Sequence, residues 1–145
     1  MSKKENQRFT KQEEIAHSIS HGVGAVFAIV ALVLMAVSSA KHGTAWHVAS
    51  YVIYGSFLVI LYISSTLNHL LPLGSRAKNF FHNFDQIAIF LFIAATYTPI
   101  ALVVLRNDWG WVMFGIEWGL AFTGVIIKIL IPNKFEKGVN LFYFM

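Results

Sequence analysis

Long stretches without charged residues dominate the pattern of polar and apolar positions along this chain. No Asp, Glu, Lys or Arg occurs in residues 15–40, 42–75 or 86–105. About 20 apolar residues in a helix cross the hydrocarbon core of a bilayer, so each stretch is long enough to hold one membrane span. The spans must be helices, because lipid offers no hydrogen-bond partner to free backbone groups.

The pattern predicts an all-α fold, a multi-pass transmembrane helical bundle with four spans. We place these spans near Gly22–Ser39, Val48–Leu70, Asp85–Leu105 and Trp109–Ile131. The fourth span is less regular, since it contains Glu117 and, near its end, Lys128. A further apolar run from Val139 to Met145 covers only about 10 Å of helix. This run indicates the start of a fifth span that is cut off.

Composition excludes an ordinary soluble protein and a disordered one. Hydrophobic residues make up 57% of the 145 residues and charged residues 12%, about half the charged share of typical soluble domains. The net charge of +4 forms no patch, since the charges lie at segment ends. We therefore predict a lipid bilayer as partner and no nucleic acid, while the oligomeric state stays open. Because the chain has no cysteine, any metal must be held by histidines and carboxylates.

The N-terminus has two interpretations, a cleavable signal peptide and a retained first span. Basic residues precede the apolar run, and small residues at 37–40 resemble a cleavage site. The run is too long for a signal peptide, however, and the polar start contains several glutamates. We predict a retained span.

Orientation follows from the Lys and Arg residues, which favour the cytoplasmic side of a membrane. With the N-terminus inside, all of them except Lys41 and Arg106 fall on that side. Three tryptophans then reach the outer boundary: Trp46, Trp109 and Trp111. We predict a protein of the plasma or inner cell membrane, with residues 1–12 as a cytoplasmic polar tail and 13–145 as a transmembrane domain.

Polar residues near the predicted span ends are the candidates for chemistry, because such residues are costly at membrane depth. Before the first span, Glu14, Ser18 and His21 follow helical spacing and share a face. In the second span, Ser65 and His69 lie one turn apart. The first group is interpreted as an interfacial amphipathic turn that leads into the first span. Ser65 and His69 fit a helix end that reaches the headgroups as well as a metal site, and the spacing alone favours the helix end.

Asp85, at the start of the third span, also has two interpretations. It could cap the helix N-terminus, or it could act as a general base or second-sphere carboxylate facing His69 across a short hairpin. His82 is predicted to be a loop residue. We expect Ser65, His69 and Asp85 to form one polar cluster at the cytoplasmic end of the bundle.

Three other features have structural interpretations. Gly22 and Gly24 are expected to permit close helix contact. Thr96-Tyr97-Thr98-Pro99 predicts a kink at which hydroxyl groups bond backbone carbonyls. Glu117, in the outer half of the fourth span, should be protonated or paired with a polar group.

Several of these motifs, taken in order and spacing, resemble the bacterial hemolysin III family. They are Glu13-Glu14-Ile15-Ala16-His17-Ser18-Ile19-Ser20-His21-Gly22, Ser65-Thr66-Leu67-Asn68-His69, Phe84-Asp85-Gln86 and Ala95-Thr96-Tyr97-Thr98-Pro99. The resemblance covers residues 13–145. It extends to the progestin and adipoQ receptors, seven-span proteins with a cytoplasmic N-terminus, and implies that this chain is a partial seven-span fold.

The resemblance also implies a zinc site near the cytoplasmic side. His69 matches the zinc ligand of the second span. Ser65 and Asp85 match the serine and the aspartate of the site, where the aspartate acts through water. Glu14 and His21 lie in the N-terminal motif that packs near it.

This sequence departs from the family pattern in one respect. The family's two other zinc ligands form a His-x-x-x-His pair in the last span, and this chain ends before that span. His17 and His21 have the spacing but belong to a different motif. Since a catalytic zinc usually needs three protein ligands, stable zinc binding is not expected for this chain.

Three functions follow as hypotheses. The first is a membrane-perturbing, cytolytic or channel-like protein, which the family name implies. The second is a zinc-dependent membrane hydrolase acting on an amide-like or lipid substrate, with an incomplete site here. The third is an inactive truncated remnant. Whether the chain is an enzyme is left open by its residues.

Overall fold

The computed structural model describes residues 10–131, which form four α-helices and one π-helix and contain no strand. The helices are α1 (Lys11–His42), α2 (Ala45–Leu70), α3 (Arg76–Pro99) and α4 (Asp108–Leu130), with the π-helix Ile100–Val104 continuing α3. Four helical segments, α3 being counted with the π-helix, are long and apolar enough to cross a membrane. The predicted all-α multi-pass bundle is confirmed, whereas the predicted fifth span lies outside the described residues.

Consecutive helices pack against one another. α1 contacts α2, α2 contacts α3, and α3 contacts α4, while the π-helix touches α2, α3 and α4. Short connections between long helices make each pair antiparallel. We call the end of the bundle where α1 and α3 begin the N-proximal end, and the opposite end the distal end.

α1 begins about three turns before the predicted first span. Thr10 caps it: the Thr10 hydroxyl accepts a hydrogen bond from the backbone N–H of Glu13 at 3.3 Å, and Glu13 Oε2 accepts one from the backbone N–H of Thr10 at 2.7 Å. This reciprocal pair satisfies two N–H groups that a helix start leaves free. The segment with Glu14 and His21 is therefore one rigid helix with the span.

α3 also begins earlier than predicted, at Arg76. The Ser75 hydroxyl caps it by accepting a hydrogen bond from Lys78 N–H at 3.0 Å. Asp85 consequently lies in the third turn, so the interpretation of Asp85 as the helix cap is wrong. His82 lies in the helix as well, not in a loop. Charge-free stretches locate the apolar part of a helix but miss a polar first turn.

Small residues fill the helix interfaces, and large apolar residues face outward. The buried apolar set is Ala28, Ala88, Ala94, Ala95, Ala101, Leu102 and Ala121. Phe27, Leu120 and Ile129 are each more than half exposed. This inverted arrangement is typical of membrane helices, which attract one another through close backbone approach.

Gly24 shows such a close approach. A Cβ atom at this position would lie 2.6 Å from Cε1 of the Tyr62 ring on α2. A Cβ atom at Gly22 would make only an ordinary contact, 3.7 Å from Thr66 Cγ2. The predicted close contact is thus confirmed for Gly24, whereas the packing at Gly22 would accommodate a Cβ atom.

The helix does not stop at Pro99 but widens into the π-helix, where Leu105 N–H bonds the Ile100 carbonyl at 2.8 Å. The predicted hydroxyl bonds are present, from Thr96 to the Phe92 carbonyl at 2.8 Å and from Thr98 to the Ala94 carbonyl at 2.9 Å. Such bonds are the usual way for a membrane helix to carry a proline.

Candidate functional site

A glutamate on α1 reaches a histidine on α2 at the N-proximal end. Glu14 Oε2 lies 2.8 Å from His69 Nδ1, and only 16% and 13% of the two side chains are exposed. The pair exists because the polar first turns of α1 are helical and pack along the last turns of α2. With Nδ1 bonded to a carboxylate, His69 presents its other ring nitrogen, Nε2, away from Glu14.

Lys78, near the start of α3, joins the same carboxylate. Its Nζ donates to both Glu14 oxygens at 3.3 Å and to the backbone carbonyl of Asn68. Glu14 on α1 is thus bonded to His69 on α2 and to Lys78 on α3, and it connects the three helices. Its negative charge is matched locally by Lys78, as a buried carboxylate requires.

Asp85 faces α2 and is bonded there by two buried side chains. Asn68 Nδ2 donates to Asp85 Oδ2 at 3.1 Å, and the Ser64 hydroxyl lies 3.4 Å from Oδ1. Ser64 is 1% exposed and Asn68 7%. The carboxylate therefore accepts a hydrogen bond from Asn68 and lies beside the Ser64 hydroxyl, whose shorter hydrogen bond goes to the Leu61 carbonyl at 2.9 Å.

Asn68 connects the two groups of contacts, since its carbonyl bonds Lys78 and its amide bonds Asp85. We refer to the connected set as the polar network; its members are Glu14, Ser64, Asn68, His69, Lys78 and Asp85. The sequence predicted a cluster of Ser65, His69 and Asp85. In the structure His69 bonds Glu14, whereas Asp85 accepts a hydrogen bond from Asn68. Ser65 is buried, with 7% of its surface exposed.

Sequence reasoning missed Ser64, Asn68 and Lys78. Ser64 and Asn68 have the same four-residue spacing as Ser65 and His69, one position earlier, so spacing gave no reason to choose between the two faces of α2. A one-residue change rotates the face by about 100°. Lys78 was assigned only to the charge balance of a loop.

Three histidine rings lie together beside the network. The centroid of the His69 ring is 5.9 Å from that of His21, with the planes 8° apart, and 5.0 Å from that of His17. His17 and His21 are 6.5 Å apart. His21 thus lies near His69, as the N-terminal motif implied.

These histidines do not by themselves form a metal centre. Within residues 10–131, no three His, Asp or Glu side chains are arranged to hold a metal ion. A histidine binds a metal through a nitrogen lone pair that lies in the plane of its ring. The His21 and His69 rings are stacked with nearly parallel planes, so their lone pairs do not point at a common metal position between the rings. The zinc that the resemblance implies therefore does not fit the described residues alone.

Glu117 lies away from the network, half-buried on α4 toward the distal end. It lines an open cavity of about 240 Å³ together with Trp109, Val112, Met113 and Ile116. Beyond it, the Arg106 guanidinium stacks 4.7 Å from the ring centroid of Trp46. This end carries aromatic side chains together with Arg106 and His47, which contacts Tyr51.

Comparison with known proteins agrees with the motifs. The sequence model of the family described as Haemolysin-III related matches residues 9–145. The chain belongs to the haemolysin III family. It is a multi-pass membrane protein of that family, with at least the four membrane-crossing helices described above.

Curated relatives of this haemolysin III protein come from bacteria and mammals. Hemolysin-3 of Bacillus cereus is 41% identical over 132 residues, which are 91% of this chain and 60% of the relative. The Hemolysin-3 homolog of Bacillus subtilis (strain 168) is 39% identical over 127 residues, 88% of this chain and 59% of the relative. The human monocyte to macrophage differentiation factor is 32% identical over 110 residues, 70% and 42% respectively.

The chain thus spans about 60% of the length of the bacterial relatives. No solved structure matches it. The polar network lies inside the region that the family model matches.

Proposed function

We propose that this haemolysin III protein perturbs the permeability of the cell membrane that holds it, as a cytolytic or channel-like protein. The observation that carries the proposal is its 41% identity with a protein named Hemolysin-3. The polar network supports it, because buried ionisable groups in membrane helices commonly mark the path of ions or water.

Dye release tests the proposal. The chain is reconstituted into vesicles of phosphatidylcholine and phosphatidylglycerol loaded with carboxyfluorescein, and we expect release above that of protein-free vesicles. Asp85→Asn, which removes the charge from the network, should reduce release several-fold, whereas the exposed Glu13→Gln should not. Vesicles that stay sealed at high protein content would contradict the proposal.

A second candidate is a zinc-dependent membrane hydrolase, in which His69 would bind zinc and Asp85 and Ser65 would serve the reaction by resemblance. The Glu14–His69 pair favours it, since metal-binding histidines usually donate their other ring N–H to a carboxylate or carbonyl. Further ligands would have to come from outside residues 10–131. We therefore assign no reaction step to the metal.

Elemental analysis of the purified chain separates the candidates. We expect zinc well below one equivalent, because His69 is the single matched ligand. Stoichiometric zinc that is lost in His69→Ala would favour the hydrolase, with His21 and Asp85 as the next ligands to test. A chain with neither zinc nor dye release would be an inactive remnant.

A further inference from the structure

Arg106 is a cation in the short connection between the π-helix and α4. Its side chain is exposed, and it directly precedes Asn107, the residue that caps α4. Within residues 10–131 no carboxylate forms an ion pair with this guanidinium, since the acidic partner in the ion pairs of that part of the chain is Glu14, at the N-proximal end. The positive charge of Arg106 can therefore receive an anion that approaches the distal end.

The guanidinium lies over the indole ring of Trp46. Its Cζ atom is 4.7 Å from the ring centroid, within the range of a cation–π interaction. The N–H donors of a guanidinium lie in its plane and point away from its centre. A contact made through the centre thus leaves donors at the edge for a second partner, and it restricts the side chain, which lowers the entropic cost of binding.

Trp46 is itself fixed by a second indole. Its ring centroid is 5.6 Å from that of Trp111, with the planes at 84°, and the Trp111 ring is 6.0 Å from that of Phe114, at 79°. These edge-to-face contacts join the first turn of α2 to the first turn of α4. We refer to Arg106, Trp46 and Trp111 as the distal platform, in which the arginine rests on a packed aromatic surface.

The distal platform lies where the membrane-crossing helices end. Trp46 is the second residue of the segment Ala45–Leu70, and Trp111 is the fourth residue of Asp108–Leu130. Trp111 is 50% exposed. Indole rings and arginines at the ends of such helices favour the headgroup region of a bilayer. The anionic groups present at that level are the phosphodiesters of phospholipids.

We propose that the distal platform binds the phosphate of a phospholipid headgroup, with the Arg106 guanidinium donating two parallel N–H bonds to its oxygens. Guanidinium and phosphate match in charge and in their paired bonding geometry. A lipid is favoured over free phosphate because the exposed Trp111 ring lies beside the arginine, where it offers apolar contact to the lipid below its headgroup. The inference goes beyond the proposed function, since it assigns a lipid site to the end of the bundle opposite the polar network.

Native mass spectrometry of the full chain in detergent micelles tests the ligand. Phosphatidylglycerol is compared with diacylglycerol that carries the same acyl chains and no phosphate. We expect saturable binding of phosphatidylglycerol and several-fold weaker binding of diacylglycerol; equal binding would overturn the proposal. Excess inorganic phosphate should leave the lipid bound, whereas its displacement would show that the site takes free phosphate and would overturn the lipid assignment.

Variants test the residue. Arg106→Gln should weaken binding of phosphatidylglycerol several-fold, and Arg106→Lys should weaken it as well, because an ammonium group cannot form the paired bonds. Lys41→Gln is the matched control, since Lys41 is an exposed cation in the last turn of α1, at the same end. Equal losses in Arg106→Gln and Lys41→Gln would indicate general charge attraction and overturn the site. Full affinity in Arg106→Lys would overturn the paired bonds.

Thermal unfolding separates lipid binding from a structural role of the cation–π contact. Added phosphatidylglycerol should raise the unfolding midpoint of the wild-type chain in detergent, because a ligand that binds the folded state stabilises it. We expect this rise to disappear in Arg106→Gln and to persist in Lys41→Gln. A lower midpoint of Arg106→Gln without lipid, combined with an undiminished rise on adding lipid, is the result that a merely structural contact would give, and it would overturn the proposal.

Discussion

Asn68 is the residue on which the polar network depends, although it is neither charged nor a metal ligand. Its backbone carbonyl receives Lys78 and its side-chain amide holds Asp85. The carboxylates of Glu14 and Asp85 therefore belong to one connected set without touching each other. Connected hydrogen bonds in a low-dielectric interior strengthen one another and make each loss costly.

Glu14→Gln should destabilise the protein because it removes the negative charge shared by His69 and Lys78 while keeping the side-chain volume. We expect a loss of about 1–3 kcal/mol, the usual cost of leaving a buried hydrogen-bonding partner unsatisfied. Thermal or denaturant unfolding in detergent measures it. Glu13→Gln is the matched control, since the exposed glutamine can still complete the cap with Thr10. Equal losses in both variants would contradict the assignment.

Residue identities alone predicted that His69, Asp85 and Glu14 belong to the same end of the bundle, but not which atoms they bond. Ser65 and His69 were preferred because they match a family motif. The bonds of Asp85 instead go to Ser64 and Asn68. Rotation of α2 about its own axis decides between those faces, and that rotation depends on packing, which the spacing within one helix does not contain.

At the scale of the helices, charge-free stretches predicted how many spans there are and where their apolar centres lie. The helix starts were predicted less well, at α1 and α3 above all. Both begin with polar turns held by Thr10 and Ser75 caps, and hydropathy does not register such turns. A cap followed by helix-forming residues was the available signal.

Gly24→Ala should destabilise the α1–α2 interface. The added methyl group would lie 2.6 Å from the Tyr62 ring, so the ring or the helices must move, at a cost of about 1–3 kcal/mol for overpacking. Gly115→Ala serves as the control, because a Cβ atom there has no neighbour within 4 Å and alanine favours the helix. The unfolding midpoints of the two variants are compared. An unchanged midpoint for Gly24→Ala would contradict the prediction and show that the Tyr62 ring moves aside without cost.

On the scale of the whole molecule, the four helices place the polar network at one end and the aromatic contacts of Trp46, Arg106 and Trp111 at the other. Tryptophan and arginine at a helix end are typical of the membrane–water boundary. The distribution of Lys and Arg predicts that the end with the network is cytoplasmic.

Reporter fusions test that orientation. Fusions after Lys78 and Lys137 should report the cytoplasm, and fusions at Gly43 and Asn107 the outside, because positively charged loops stay in the cytoplasm. The two cytoplasmic fusions and the two outside fusions control for each other, since they are predicted to lie on opposite sides of the membrane. The reverse pattern would place the polar network on the outer face and contradict the predicted N-terminus.

The neighbour-by-neighbour packing of the helices has a consequence for how the protein is made. Since α1 contacts α2, α2 contacts α3 and α3 contacts α4, each new helix finds its partner already inserted as it leaves the ribosome, and no early helix must wait for a distant one. The bond from Lys78 to Glu14 is one exception, because it links α3 to α1 across 64 residues of sequence. The ring contacts of Trp46 with Trp111 and of Phe57 with Trp118, which link α2 to α4, are others. Until the start of α3 emerges, His69 is the partner that the described residues of α1 and α2 offer Glu14. Synthesis therefore leaves the α1–α2 hairpin with an exposed acidic group that the nascent α3 neutralises on arrival.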